Sequence, residues 1–113
     1  MKALKFRHNL VKKILDGSKT VTWRLFDDKN LQGDKLNFID WQTGEKFAEA
    51  EIVGIKEKKF GDLEDADFEG HEKFGSRDEL LRQYREYYGN KVGWDTLVKI
   101  LTFKILKKFP PKA

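Results

Sequence analysis

Residues 14–24 read ILDGSKTVTWR, and within this stretch the pattern changes from that of a helix to that of a strand. Apolar side chains recur at helical spacing up to Leu15, and Asn9 is placed to cap the helix that they predict. Gly17 follows, and glycine readily adopts the left-handed conformation that ends a helix. From Lys19 onward apolar and polar residues alternate, as they do in a strand with one buried face. We therefore predict a helix, a sharp turn and a strand in direct succession.

The two faces of this strand differ in chemistry. One face, which we expect to point to the core, carries Val21, Trp23 and Leu25. The other face carries hydroxyls and a guanidinium, with a lysine at the turn beside it: Lys19, Thr20, Thr22 and Arg24. Such a surface suits an anion or a polar ring, because a guanidinium binds phosphate bidentately and hydroxyls can pair with a nucleobase edge. The alternative is that the threonines are ordinary strand residues and that Arg24 pairs with an acid such as Asp27.

Turn signals divide the next part of the chain into two strands. They predict strands over residues 35–41 and 46–56, joined as a hairpin. Along the second strand the apolar phase shifts beside Gly54, which indicates a bulge or a tight bend. A small closed barrel needs such a bend.

The last third of the chain contains a loop, a helix and a final strand. Residues 60–74 have no clear period and predict a long connection that contains one helical turn, which makes them a candidate functional loop. A capping box at Ser76 opens a helix that continues to Tyr88. Residues 96–106 are apolar on both faces, which is typical of a central strand.

Length and composition limit the fold. The chain has 113 residues, of which 39% are hydrophobic and 13% aromatic, enough for one core. We expect a single domain over residues 1–113, with residues 107–113 as a flexible tail. The mixture of short strands with few helices predicts an α+β fold, namely a small, mainly antiparallel β-barrel with two or three peripheral helices.

Several kinds of site are disfavoured by the residues that are missing. The chain has no cysteine and only two histidines, His8 and His71, so we expect no disulfide, no metal and no cofactor. No apolar run is long enough to span a bilayer, and the expected location is the cytoplasm, with a monomer as the favoured state. The Lys, Glu and Phe content also suggests a protein from a hot environment.

Charge is distributed unevenly along the chain. Residues 1–24 hold seven basic side chains and one acid, residues 61–79 hold eight acids and two bases, and residues 98–113 hold five lysines. If the two basic ends meet in one sheet, they make a surface that attracts phosphates independently of sequence. The alternative is a set of solvated lysines.

The segment quoted first resembles the signature of the ASCH domain family, in which a helix ends in Gly-x-Lys-Thr and continues into a strand reading x-Thr-x-Arg. The resemblance covers nearly the whole chain. Further family features occur in the same order: Gly33-Asp34, Gly70-His71-Glu72, Phe74, Tyr87-Tyr88-Gly89 and Phe103. The resemblance implies a PUA-like barrel and a partner that is RNA, a nucleoside or a nucleotide. Thr20, Trp23, Arg24 and His71 are then the expected ligand-binding residues, with a loop-anchoring hydrogen bond as the alternative role of His71.

Within this family, small bacterial amidohydrolases that deacetylate 4-acetylcytidine are similar in size. The resemblance places their catalytic residues on Lys19, Thr22 and Glu72, the last with a one-residue gap in the alignment. A lysine that is half-buried beside a second cation can act as a base or nucleophile, Thr22 could stabilise the oxyanion, and Glu72 could shuttle protons to the leaving amine. Two alternatives stay open: a binding module without catalysis, and a protein-interaction module like the ASCH module of a transcription coactivator.

Overall fold

The computed structural model describes residues 2–26, 31–71 and 73–109. These ranges contain five strands: β1 Lys2–Phe6, β2 Val21–Leu25, β3 Lys35–Asp40, β4 Lys46–Lys59 and β5 Leu97–Lys108. Two α-helices accompany them: α1 His8–Leu15 and α2 Arg77–Tyr88. Two short 3-10 helices lie between β4 and α2: Phe60–Asp62 and Asp65–Phe68.

The five strands form one mixed sheet in the order β1-β3-β4-β5-β2. β1 pairs with β3 in parallel, and the other three pairings are antiparallel. The sheet curls into a half-barrel, in which β1 and β2 are the two edge strands. This confirms the predicted α+β class and the mainly antiparallel sheet. We call the opening between β1 and β2 the gap.

Bends in the long strands allow the sheet to curl. The register of β4 against β5 shifts between Ile52 and Gly54, which confirms the irregularity predicted beside Gly54. A second shift in the same pair lies between Glu49 and Ala50. Each irregularity adds local twist and turns the strand toward closure.

Two apolar clusters hold the elements together. The first packs α1 against β1, β3 and β4, and the second packs α2 and the loop before it against β2. β5 contributes to both, because Leu101 and Phe103 lie in the first cluster while Val98 and Ile100 lie in the second. The prediction of a central strand with two apolar faces is thereby confirmed.

The helix boundaries follow local sequence, with one exception. Gly17 has a φ of 86°, as expected of the residue that ends α1. Ser76 caps α2 by accepting a hydrogen bond of 3.1 Å from the main-chain nitrogen of Glu79. The predicted cap at Asn9 is wrong: α1 begins at His8, and Arg7, at the capping position, makes no side-chain capping bond. A single residue separates β1 from α1, so the chain turns before it reaches Asn9.

The C-terminal strand extends further than its periodicity predicted. β5 includes Lys107 and Lys108, and Phe109 still donates from its main-chain nitrogen to the oxygen of Phe47 at 2.7 Å. Residues 110–113 lie outside the described residues. None of the described helices is long and apolar enough to cross a membrane.

Candidate functional site

A cavity of about 290 Å³ lies in the gap, between the two edge strands and the C-terminal half of α2. Four of its lining residues are cationic: Lys5, Arg7, Lys19 and Arg24. Six are aromatic: Phe6, Trp23, Trp41, Tyr84, Tyr87 and Tyr88. Leu10, Thr22 and His71 complete it, and we call it the gap pocket. A larger cavity of about 550 Å³ lies beside the 3-10 helices, and none of the described residues that line it is a predicted site residue.

Lys19 lines the gap pocket from a buried position. Lys19 is only 2% exposed. Nζ donates a hydrogen bond of 2.8 Å to the main-chain oxygen of Val21. Its main-chain nitrogen bonds to the oxygen of Lys13 at 3.0 Å, which fixes the turn between α1 and β2. The turn therefore brings the ammonium against the free edge of β2.

Arg24 spans the gap from β2 to β1. Its Nη2 donates to the main-chain oxygen of Lys5 at 3.0 Å, and the guanidinium carbon lies 5.1 Å from the ring centroid of Phe6. Thr22 is buried two residues earlier on the same strand and also lines the pocket. Successive side chains of a strand alternate, so Thr22 and Arg24 share a face, as predicted.

Thr20 does not join this group. It is exposed, it is not among the lining residues, and its side chain lies directly against Gly70. Its main-chain nitrogen and that of Val21 both donate to the oxygen of Gly70, at 2.8 and 3.1 Å. The structure therefore does not bring Thr20 into the gap pocket with Lys19, because the Thr20 side chain lies against Gly70 instead.

Trp23 and His71 form a stacked pair in the wall of the gap pocket. Their ring centroids are 3.9 Å apart with an interplanar angle of 15°. Nε2 of His71 lies 3.3 Å from the hydroxyl of Tyr84, which is the loop-anchoring hydrogen bond expected of a lone buried histidine. Phe68 packs edge-on against Trp23 at 5.0 Å. Both rings are thus held rigidly, and both belong to the pocket.

Two residues named from the sequence lie outside the described residues: Glu72, the predicted proton shuttle, and Asp27, the alternative partner of Arg24. Within the three described ranges, no group of three or more His, Cys, Asp or Glu side chains is arranged to hold a metal ion.

Several lining residues come from outside the segment at residues 17–24. Tyr84, Tyr87 and Tyr88 come from one face of α2, where their spacing of three and four residues was the available signal. Arg7 stacks on Tyr87, with the guanidinium carbon 4.2 Å from the ring centroid. Trp41 is 66% exposed. An exposed tryptophan at the mouth of a pocket is a ready stacking surface.

The turn that carries Trp41 is fixed by Asp40, which is buried at the end of β3. Oδ2 of Asp40 accepts a hydrogen bond of 2.6 Å from Nδ1 of His8, and Oδ1 accepts from the main-chain nitrogens of Gln42 and Thr43. Burial raises the pKa of this carboxyl, but the hydrogen bonds outweigh it and hold the pKa below its ordinary value. Asp40 therefore stays ionised and pins the turn beside the pocket.

Comparison with known proteins identifies the fold. No family model and no curated protein matches the sequence. A protein of the family DUF984 from Enterococcus faecalis V583 superposes with a TM-score of 0.74 at 13% identity, over 93% of this chain and 74% of that chain. An ASCH domain from Lactobacillus crispatus JV V101 gives a TM-score of 0.74 at 15% identity, over 92% and 78%. The hypothetical protein PH0355 gives 0.70 at 21% identity, over 94% and 100%. The chain therefore has the ASCH-domain fold, which confirms the resemblance at the level of structure.

Proposed function

We propose that the gap pocket binds one nucleotide unit, either free or as a single base of single-stranded RNA. The observation that carries this proposal is the lining, in which four cations and six aromatic rings surround a cavity of about 290 Å³. That volume lies just below the range of about 300–1,000 Å³ that is typical of small-molecule sites. It favours one base over a helical segment.

The aromatic side chains supply surfaces for a base. Trp41 is largely exposed and Tyr87 is partly exposed, so their rings meet solvent at the mouth of the pocket. Stacking of a base on an aromatic ring contributes roughly 1–3 kcal/mol and tolerates any base. Trp23, which is buried, forms part of the wall.

The cations supply attraction for a phosphate. Lys5 and Arg7 are exposed at the end of β1, and Arg24 lies opposite on β2. A guanidinium pairs with phosphate oxygens in a bidentate manner. Affinity for RNA should therefore fall as salt is added, since each neutralised phosphate releases condensed counterions.

The test is a salt titration of binding to single-stranded RNA ten nucleotides long, read by tryptophan fluorescence. For Z phosphate contacts, the slope of log affinity against log salt should be about −0.7Z for a single strand. The double variant Lys5→Gln/Arg7→Gln should weaken binding and make the slope shallower by roughly 1.4.

The matched control removes the same charge elsewhere. Lys59 and Arg82 are exposed and do not line the gap pocket. Lys59→Gln/Arg82→Gln should keep the affinity and slope of the wild type. Equal losses in both double variants would indicate nonspecific attraction, and no binding of RNA or mononucleotide would overturn the proposal.

A second candidate function is hydrolysis of the amide of an acetylated nucleoside such as 4-acetylcytidine. The observation that favours it is that Lys19 and Thr22 are both buried and both line the gap pocket. In such a reaction water adds to the acetyl carbonyl, the bond to the exocyclic nitrogen breaks, and acetate and cytidine leave. Lys19 would act as base or nucleophile and Thr22 would stabilise the oxyanion.

Incubation with 4-acetylcytidine, followed by release of cytidine, tests this second candidate. Lys19→Met keeps most of the buried aliphatic stem and should abolish release without collapse of the melting temperature. Thr20→Ala is the control, because Thr20 lies outside the lining, and it should retain activity. No release by the wild type would exclude this substrate and leave the binding proposal unaffected.

A further inference from the structure

The main chain of β2 presents hydrogen-bonding groups to the gap. β2 is an edge strand, so its ladder to β5 uses only one of its two edges. The main-chain nitrogen of Phe103 donates to the oxygen of Thr20 at 3.1 Å, and bonded pairs recur at every second residue of an antiparallel ladder. Thr22 and Arg24 therefore turn their N–H and C=O groups to β5, which leaves those of Val21, Trp23 and Leu25 facing the gap.

Contacts at both ends of the strand agree with this alternation. Val21 donates from its nitrogen to the oxygen of Gly70, and its own oxygen accepts from Nζ of Lys19. At the other end, the main-chain nitrogen of Leu25 lies 3.5 Å from the hydroxyl of Tyr88. Protein groups thus occupy the edge on either side of Trp23.

Trp23 itself is the open position between them. Within residues 2–26, 31–71 and 73–109, its main-chain N–H and C=O meet no hydrogen-bond partner. Its indole Nε1 is also buried and has no acceptor in that part of the chain. Trp23 is only 3% exposed and lines the gap pocket, and buried polar groups of this kind nearly always have a partner.

We propose that the main-chain N–H and C=O of Trp23 read the edge of a planar ring in the gap pocket, one group donating and the other accepting. This inference rests on the proposed binding of a nucleotide and names the part of the ligand that is recognised. Each common nucleobase carries a donor next to an acceptor on its pairing edge. The pocket should therefore accept several bases and reject a base whose pairing edge is blocked.

The length of the open edge favours a ring over a peptide strand. Val21 and Leu25 are four residues apart, which is roughly 13 Å at about 3.3 Å per residue. Both are already engaged, so a single residue is free to pair. Addition of a peptide strand relies on repeated main-chain bonds along an edge, whereas one donor and one acceptor suffice for a base.

The test is nuclear magnetic resonance of protein labelled with ¹⁵N only in tryptophan. The chain has three tryptophans, so three main-chain amides and three indoles are observed. Trp41→Phe and Trp94→Phe variants assign them. Trp94 does not line the gap pocket and packs on Phe60 at 5.6 Å, so its signals are the internal control.

The probes are the four common nucleoside 5′-monophosphates and, for the one that binds best, its derivative methylated on the ring nitrogen of the pairing edge. Binding should shift the resonance of the Trp23 main-chain amide and slow the exchange of its proton with solvent by about tenfold, while the Trp94 resonances stay unchanged. Methylation should lower the affinity by about tenfold or more, because it leaves the Trp23 groups unpaired.

The outcomes separate the two proposals. If a nucleotide binds but the Trp23 amide resonance does not shift, or if the methylated nucleotide binds equally well, recognition by the Trp23 main chain is overturned and the nucleotide site stands. If none of the four binds at millimolar concentration, the nucleotide site fails and the inference fails with it. A shift of this amide caused by a capped tripeptide and by no nucleotide would assign the edge to a peptide.

Discussion

Arg24 donates a hydrogen bond of 3.0 Å from Nη2 to the main-chain oxygen of Lys5, and so joins the two edge strands across the gap. β1 and β2 are not neighbours in the sheet, which makes this side-chain bond a substitute for a missing ladder. The same guanidinium lines the gap pocket. One residue therefore both closes the half-barrel and offers charge to a ligand.

Replacement of Arg24 should affect binding more than stability. Arg24→Met removes a charge-assisted hydrogen bond, which contributes about 1.5–3 kcal/mol, so nucleotide affinity should fall by roughly 10- to 100-fold. The melting temperature should fall by only a few degrees, because Phe6 and the strand ladders stay in place. Fluorescence titration and thermal melts measure the two effects. The affinity of Arg24→Lys should lie between those of Arg24→Met and the wild type. Equal affinity for Arg24→Met and the wild type would show that Arg24 does not contact the ligand.

Trp41 should contribute to affinity and little to the fold. Its side chain is largely exposed, so Trp41→Ala removes a stacking surface with little loss of burial. We expect affinity for a nucleotide to fall about 5- to 100-fold, which corresponds to roughly 1–3 kcal/mol per stacked base. Trp41→Phe, which keeps an aromatic ring, should retain most of the affinity. A lowered melting temperature for Trp41→Ala with unchanged affinity would show that the role is structural.

Gly70 should not tolerate a side chain. Its φ is +73°, and a Cβ there would collide with Oγ1 of Thr20. Gly70→Ala should therefore displace the loop that carries His71 and lower both the melting temperature and the affinity. Gly44→Ala is the matched control, because Gly44 has a similar φ of +75° and nothing lies within 4 Å of its Cβ position. Gly44→Ala should lower the free energy of unfolding by only roughly 1 kcal/mol, which is the cost of a left-handed backbone conformation for alanine.

The double variant Gly70→Ala/Thr20→Ala distinguishes collision from backbone strain. It removes Oγ1 of Thr20 and should recover part of the stability that Gly70→Ala loses. Chemical denaturation of the four proteins in this cycle measures the coupling. Strict additivity would mean that the contact with Thr20 is not the cause.

Asp67 should make stability depend on acid pH. Burial raises the pKa of this carboxyl, but an ion pair of 2.8 Å with Lys56 and hydrogen bonds from Lys58 and the main-chain nitrogen of Glu64 outweigh it and bring the pKa to about 2, from an ordinary value of 3.8. Because the pKa is lowered in the folded state, Asp67 stabilises the protein fully above about pH 4. That contribution, about 2 kcal/mol, should be lost as the pH falls from 4 to 2.

Urea denaturation at pH 6 and pH 2 measures this pH dependence of stability. Asp67→Asn should be less stable than the wild type at pH 6, and the difference should shrink by about 2 kcal/mol at pH 2. Asp65→Asn, at an exposed position in the same 3-10 helix, should follow the wild type at both values. A difference for Asp67→Asn that is independent of pH would contradict the ion-pair explanation.

What the sequence predicted correctly is mostly local. Gly17 and Ser76 act through residues within one turn of themselves, so the end of α1 and the start of α2 could be predicted from the sequence. The alternation that places Trp23 in the core and Arg24 on the other face could be predicted for the same reason. The cap at Asn9 failed because the distance from β1, and not the side chain, decided where the helix began.

The composition of the gap pocket was only partly predictable. Lys19, Thr22 and Arg24 lie in one segment, whereas Trp41 and the α2 tyrosines reach the same cavity from distant parts of the chain. Thr20 was misplaced because its neighbour Gly70 is fifty residues away. The alternation along β2 also could not reveal which edge stays unpaired, since that depends on the position of β5.

The pairing of β2 with β5 has a consequence for how the protein is made. β2 occupies residues 21–25, but among the described strands it forms a ladder only with the strand at residues 97–108. On the ribosome, this early segment must wait until about eighty further residues have emerged, and closing so long a loop is slow compared with local structure. We therefore expect the gap pocket to form only after β5 has emerged, because a nascent chain halted before residue 97 lacks the β5 residues of both apolar clusters.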